Sequence, residues 1–154
     1  MWHKIEEENE KDMIESGVYD KGEIEIASVI SDLLSNLPKN AGAVMIFIGF
    51  VREVGKDDKK VIRLEIESYD EHADLAIKKI SNEIRDKYGL SLARIYHFKG
   101  SFSIGEPLVL VIVTGKSRKQ TFPALQEAIE RYKKEPAMWK KEVYVDESWS
   151  WISD

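Results

Sequence analysis

Leu92 to Val113 reads L-A-R-I-Y-H-F-K-G-S-F-S-I-G-E-P-L-V-L-V-I-V. Strand signals at Leu92 to Phe98 and again at Leu108 to Val113 flank turn residues around Gly100 and Gly105, the arrangement of a β-hairpin. Upstream, Asp70 to Tyr88 places Ala73, Ala76, Ile77, Ile80 and Ile84 on one helical stripe, with Gly89 as its stop. Downstream, Phe122, Leu125, Ala128, Ile129 and Tyr132 define another helix, which must finish near Lys134 because Pro136 disfavours helix at the residue before it. A hairpin set between helices predicts an α+β domain rather than a doubly wound parallel sheet.

The remainder of the chain follows the same logic. Ile24, Ile26, Val29, Ile30, Leu33, Leu34 and Leu37 recur at helical spacing until Pro38, so three main helices are expected. Gly42 to Val51 (G-A-V-M-I-F-I-G-F-V) is apolar on both parities and predicts a central strand covered on both faces. A lysine-rich turn at Gly55 to Lys60 leads into Val61 to Ser68, where Ile62, Leu64 and Ile66 alternate with Arg63, Glu65 and Glu67; these two strands are expected to pair as a hairpin. Val143 and Val145, alternating with Glu142, Tyr144 and Asp146, predict a last edge strand. Residues 1–22, rich in Glu6, Glu7, Glu8, Glu10, Asp12 and Glu15, have the composition of a flexible acidic arm, leaving 23–154 as one domain.

At 154 residues and 43% hydrophobic content the chain can bury one core. No apolar run is long enough to span a bilayer and the N-terminus is acidic, so a cytoplasmic protein with no membrane partner is expected. Cysteine is absent, which excludes disulfides, thiolate metal ligands and cysteine nucleophiles. The net charge of −5 disfavours nucleic acid as a partner, yet it is unevenly spread. From Lys116 to Lys141 eight basic residues face three acidic ones, so this stretch is +5 and the rest −10, a segregation that points to a local anion site.

Several motifs are weak. Gly115-Lys116-Ser117 imitates the end of a phosphate-binding loop, but Leu110 stands where that loop needs glycine. His3, His72 and His97 are scattered, and no metal site is expected. Asp70, Glu71 and Asp74 suit the positive end of a helix dipole, and Trp139, Trp149 and Trp151 read as core packing or a subunit contact. More specific are Lys133 and Lys140, which bracket the helix end, the proline and Trp139. Two cations turned toward one pocket depress at least one pKa, which is how a lysine becomes a base or nucleophile near neutral pH. A solvated, dipole-complementing helix end is the alternative reading.

From Gly42 to Trp149 the chain resembles the large subunit of molybdopterin synthase, the MoaE family. The resemblance is carried by G-A-V-M-I-F-I-G-F-V-R at Gly42 to Arg52, L-E-I-E-S-Y-D-E-H-A at Leu64 to Ala73, and His97 with Gly100, Gly105 and Glu106. R-K-Q-T-F at Arg118 to Phe122 and Lys133 followed by P-A-M-W-K-K-E at Pro136 to Glu142 complete it. It implies a single α+β domain of the large-subunit type, α/β hammerhead-like, with antiparallel hairpins. It also implies a sulfurtransferase without cofactor or metal. A small ubiquitin-like partner would bring sulfur as a thiocarboxylate on its C-terminal Gly-Gly tail, for transfer to cyclic pyranopterin monophosphate.

By the same resemblance Lys133 and Lys140 are the catalytic lysines, and Arg52, Ser117, Arg118, Lys141 and Glu142 bind substrate, in a homodimer within a heterotetramer. Three departures stand out. Ser117 precedes Arg118 where the family usually has histidine, Phe98 follows His97 where arginine is common, and Pro136 sits one residue nearer Lys133 than usual. The alternative these departures raise is a non-catalytic family member that binds the ubiquitin-like sulfur carrier.

Overall fold

From Leu108 to Gly115 every residue of strand β5 (Pro107–Gly115) is buried, and the molecule is built around it. The computed structural model describes residues 13–153. In chain order the elements are β1 (Gly17–Asp20), α1 (Ile26–Ser35), β2 (Ala43–Phe50), β3 (Val61–Ser68) and α2 (Asp70–Tyr88). They continue with β4 (Leu92–Ser103), β5, α3 (Arg118–Lys134), β6 (Met138–Tyr144) and β7 (Trp149–Ile152). The strands form one sheet in the order β2-β5-β4-β3-β6-β7, with β1 alongside β4. The three predicted helices are present, and α2 and α3 pack through Ile77, Ile80, Ile84, Ala124, Ala128 and Tyr132 into one hydrophobic core.

The predicted hairpin at Leu92–Val113 is the spine of this sheet. The first part of β4 (Leu92 to His97) runs antiparallel to β5, and its last part (Gly100 to Ser103) pairs instead with β3. Gly100, at φ +125°, stands where the strand changes partners, a backbone geometry that L side chains rarely adopt. The strand is therefore longer than the sequence signal, and Gly100 is a bend within it rather than part of the turn.

Three expectations need correction. β2 and β3 do not form a hairpin: β2 pairs along its length with β5, β3 pairs with β4 and β6, and a single bridge, Val54 to Lys60, joins the loop between them. Asp57 and Asp58 both take left-handed backbone (φ 57° and 58°), and the loop turns the chain into another part of the sheet. Nor is β2 central; it is an edge strand, half-buried from Ala43 to Gly49. An apolar run cannot by itself distinguish full burial from partial burial on both faces. Lastly, β6 is not the edge, because β7, too short to signal itself, pairs outside it.

The acidic arm expected over 1–22 divides. Residues 1–12 lie outside the described residues, whereas β1 runs parallel to Tyr96–Lys99 of β4. The Ile14 carbonyl accepts from the buried Tyr96 hydroxyl (2.6 Å) and from Arg94 Nε (3.2 Å). Backbone pairing and these long-range bonds order a segment whose side chains give little local signal. Among the described residues no helix is long and apolar enough to cross a membrane.

Candidate functional site

The last turn of α3 distributes its charges by helical position. Arg131 turns outward to Glu135 (2.5 Å) and Glu83 (2.7 Å), and these carboxylates hold it firmly protonated. Tyr132 points into the core, and Lys133 into a cavity of about 400 Å³. Pro136 breaks the helix, and the chain returns as β6. Alternation along β6 sets Lys140 and Glu142 on the inner face, with Lys140 between Ile66 of β3 and Ile152 of β7. Both lysines line the cavity together with Arg52, which follows β2, and Glu142.

A second, smaller cavity of about 70 Å³ also has Lys133, Lys140, Tyr132 and Ile152 in its wall. The two lysines thus stand between two spaces. Three cationic side chains against one carboxylate make the larger space suited to an anion. Glu142 is nevertheless committed: its Oε1 accepts from the Lys56 amide (3.0 Å) and from the Tyr144 hydroxyl (2.9 Å).

The other residues expected at the site lie elsewhere. Lys141 is on the outer face of β6, 3.6 Å from Glu65 and with its ammonium 4.6 Å from the centre of the Trp149 ring. Ser117 caps α3, accepting from the Lys119 amide (3.3 Å) and donating to Gln120 (2.7 Å). Arg118 begins that helix and Lys133 lies in its last turn, which separates them by about 22 Å at the usual helical rise. Neither Ser117 nor Arg118 lines a cavity that holds the lysines. The tryptophans are not core: Trp139, Trp149 and Trp151 are each about half exposed. Asp70 at the start of α2 does favour the helix dipole, but it also bonds Lys99 (2.6 Å), the main reason its carboxyl titrates lower than usual. Asp74 instead accepts from the Val18 amide (3.1 Å), tying α2 to β1.

Sequence reasoning assigned no role to His97, which lines the smaller cavity beside Lys140. It is 1% exposed, its ring meets Tyr132 edge-on at 5.6 Å, and its Nδ1 donates to the Phe98 carbonyl at 3.0 Å. Burial above all, and then the Lys140 charge, push its pKa down to about 3, so the ring is a neutral imidazole with its lone pair on Nε2. The available signal was a histidine inside the apolar run of β4. Among the described residues no group of three or more histidine or acidic side chains is placed to hold a metal.

The family model described as MoaE protein matches residues 19–135. The molybdopterin synthase catalytic subunit of Bacillus subtilis is 39% identical over 116 residues, 75% of this chain and 73% of that protein. Its counterpart in Pyrococcus abyssi is 36% identical over 113 residues, 73% and 75% of the two chains. Among solved structures, molybdopterin synthase from Staphylococcus aureus superimposes with a TM-score of 0.79 at 30% identity, covering 92% of this chain and 99% of that one. A complex of subunits 1 and 2 of molybdopterin-converting factor from Helicobacter pylori shares the fold, with a TM-score of 0.63 at 23% identity over 91% and 86% of the chains.

Proposed function

The chain belongs to the MoaE protein family, and on that premise we propose that it is the catalytic subunit of a molybdopterin synthase, a cytoplasmic sulfurtransferase. Two sulfurs, each delivered by the C-terminal thiocarboxylate of a small ubiquitin-like subunit that is released as a carboxylate after hydrolysis, go to cyclic pyranopterin monophosphate and form the dithiolene. The observation that carries this reading is the convergence of Arg52, Lys133 and Lys140 on one cavity of about 400 Å³. A chain without cysteine must receive sulfur on another molecule, and a phosphorylated acceptor needs fixed positive charge. Arg52 holds the anion, while Lys133 and Lys140 move protons and offset the negative charge that develops as sulfur attacks.

Arg118 enters this scheme only through a second copy. At about 22 Å along α3 from Lys133 it is beyond the reach of its own cavity, so a symmetric homodimer that brings Arg118 and Ser117 of one protomer to the lysines of its partner completes the anion site. With one small subunit on each protomer the assembly is a heterotetramer. The experiment is reconstitution: purified chain, thiocarboxylated small subunit and pterin precursor are mixed and the dithiolene product is followed. Product formation that requires all three components is the expected result, and its absence would overturn the sulfur-transfer reading.

A further inference from the structure

Gly55 and Glu142 meet at a point that no sequence motif marks. A methyl group on Gly55 would fall 2.2 Å from Glu142 Oε2 and 2.5 Å from both Cδ and Oε1. The carboxylate therefore lies directly on the glycine Cα, where only hydrogen fits. Through Oε1 the same group accepts from the next amide, that of Lys56 (3.0 Å), and from the Tyr144 hydroxyl (2.9 Å). Tyr144 is itself buried, and the Lys59 ammonium sits 5.1 Å above its ring centre. Three residues of the loop, Gly55, Lys56 and Lys59, are thus seated on Glu142 and Tyr144 of β6.

The loop closes on itself around these contacts. The Gly55 amide donates to the Lys59 carbonyl (2.9 Å), and at its base the Val61 amide donates to the Glu53 carbonyl (2.8 Å). Two successive left-handed aspartates cost backbone energy that such contacts must offset. The feet of the loop, Arg52 and Val61, both line the larger cavity. Whatever fixes the loop therefore bears on Arg52, the residue from which it springs.

We propose that Glu142 is a positioning residue which, by seating on Gly55 and the Lys56 amide, latches the 53–60 loop and holds Arg52 at the cavity. This rests on the reading of Arg52 as the anion-binding residue. Gly55 is then a part of the latch that any side chain would disable, since either the carboxylate or the loop must give way.

The test combines amide exchange at Lys56, read on the free full-length protein, with steady-state kinetics on the reconstituted synthase. In Glu142→Ala and Gly55→Ala the Lys56 amide should exchange about tenfold faster or more, while Glu142→Gln, which keeps the acceptor oxygen, preserves its protection. Both disrupting variants should raise the KM for the pterin precursor about fivefold or more with kcat within about twofold, and Glu142→Gln should bring KM back toward wild type. The double variant should be no worse than Glu142→Ala alone, because no carboxylate remains for the added methyl to strike. Unchanged Lys56 exchange in Glu142→Ala would overturn the latch. So would an equal loss of kcat in Glu142→Ala and Glu142→Gln with Lys56 still protected in the latter, because the carboxylate would then be acting on the reacting atoms. A wild-type chain that makes no dithiolene would sink the sulfur-transfer reading, while the exchange measurements still decide the latch.

Discussion

Lys140 and Lys141 are adjacent on β6 and face opposite ways, the first between Ile66 and Ile152 beside the cavity, the second against Glu65 and Trp149 on the outer surface. A pair of lysines that composition treats as one basic cluster is split by the two-residue period of a strand. Only one of them lines the cavity with Lys133.

The first prediction follows directly. Lys133→Ala and Lys140→Ala should each lower kcat by at least about tenfold, equivalent to ~1.4 kcal/mol of transition-state stabilisation, while Lys141→Ala and Lys134→Ala leave turnover within about twofold. Single-turnover assays with saturating partner and precursor check it. Comparable losses in all four variants would mean that general positive charge, rather than the inward-facing pair, supports the reaction.

The second concerns the length of α3. If Arg118 serves the lysines of the opposite protomer, Arg118→Ala and Lys133→Ala chains should each be impaired alone and should complement when unfolded together and refolded as a mixture. Random pairing makes about half the dimers mixed, with one intact site in each, so about a quarter of wild-type activity should return. No recovery above the separate variants would place Arg118 outside the site.

A third prediction uses the buried imidazole. The unfolded chain takes up the His97 proton near pH 6.5, whereas the folded site resists it down to about 3, from burial first and the Lys140 charge second. Between those values the unfolded state holds the extra proton, so stability falls as pH falls through this window, by up to about one proton's worth of slope from this site. His97→Gln should flatten the pH dependence measured by denaturant melts from pH 7 to 4 relative to wild type. Carboxylates held low by their partners, such as Glu127 against Lys87, add acid sensitivity to both proteins and cancel in the comparison.

Much of the architecture could be read because its elements signal locally. The isoleucine stripe of α2, the stop at Gly89 and the end of α3 before Pro136 each depend on residues a few positions apart. Strand partners do not. The Val61–Ser68 alternation says that one face is buried but not against what, and proximity in sequence suggested β2 when β4 and β6 are the neighbours. The site shows the same division. Lys133 and Lys140 were marked by motif and spacing, and the strand period assigns Lys141 to the other face. Glu142 seated on Gly55 joins residues far apart in the chain through a close packing contact, and nothing local in G-K-D-D-K-K announces it.

Because β4 pairs with β5 through its first half and with β3 through its second, it acts as a ruler between the two walls of the cavity. Arg52 is carried by the β2–β5 side, and Lys140 and Glu142 by the β3–β6 side. Substitutions along either wall alter what the cavity offers, but a one-residue insertion or deletion between His97 and Gly100 would slide one wall past the other and turn every inward side chain beyond it outward. The gap between Arg52 and Lys140 is accordingly written in chain length.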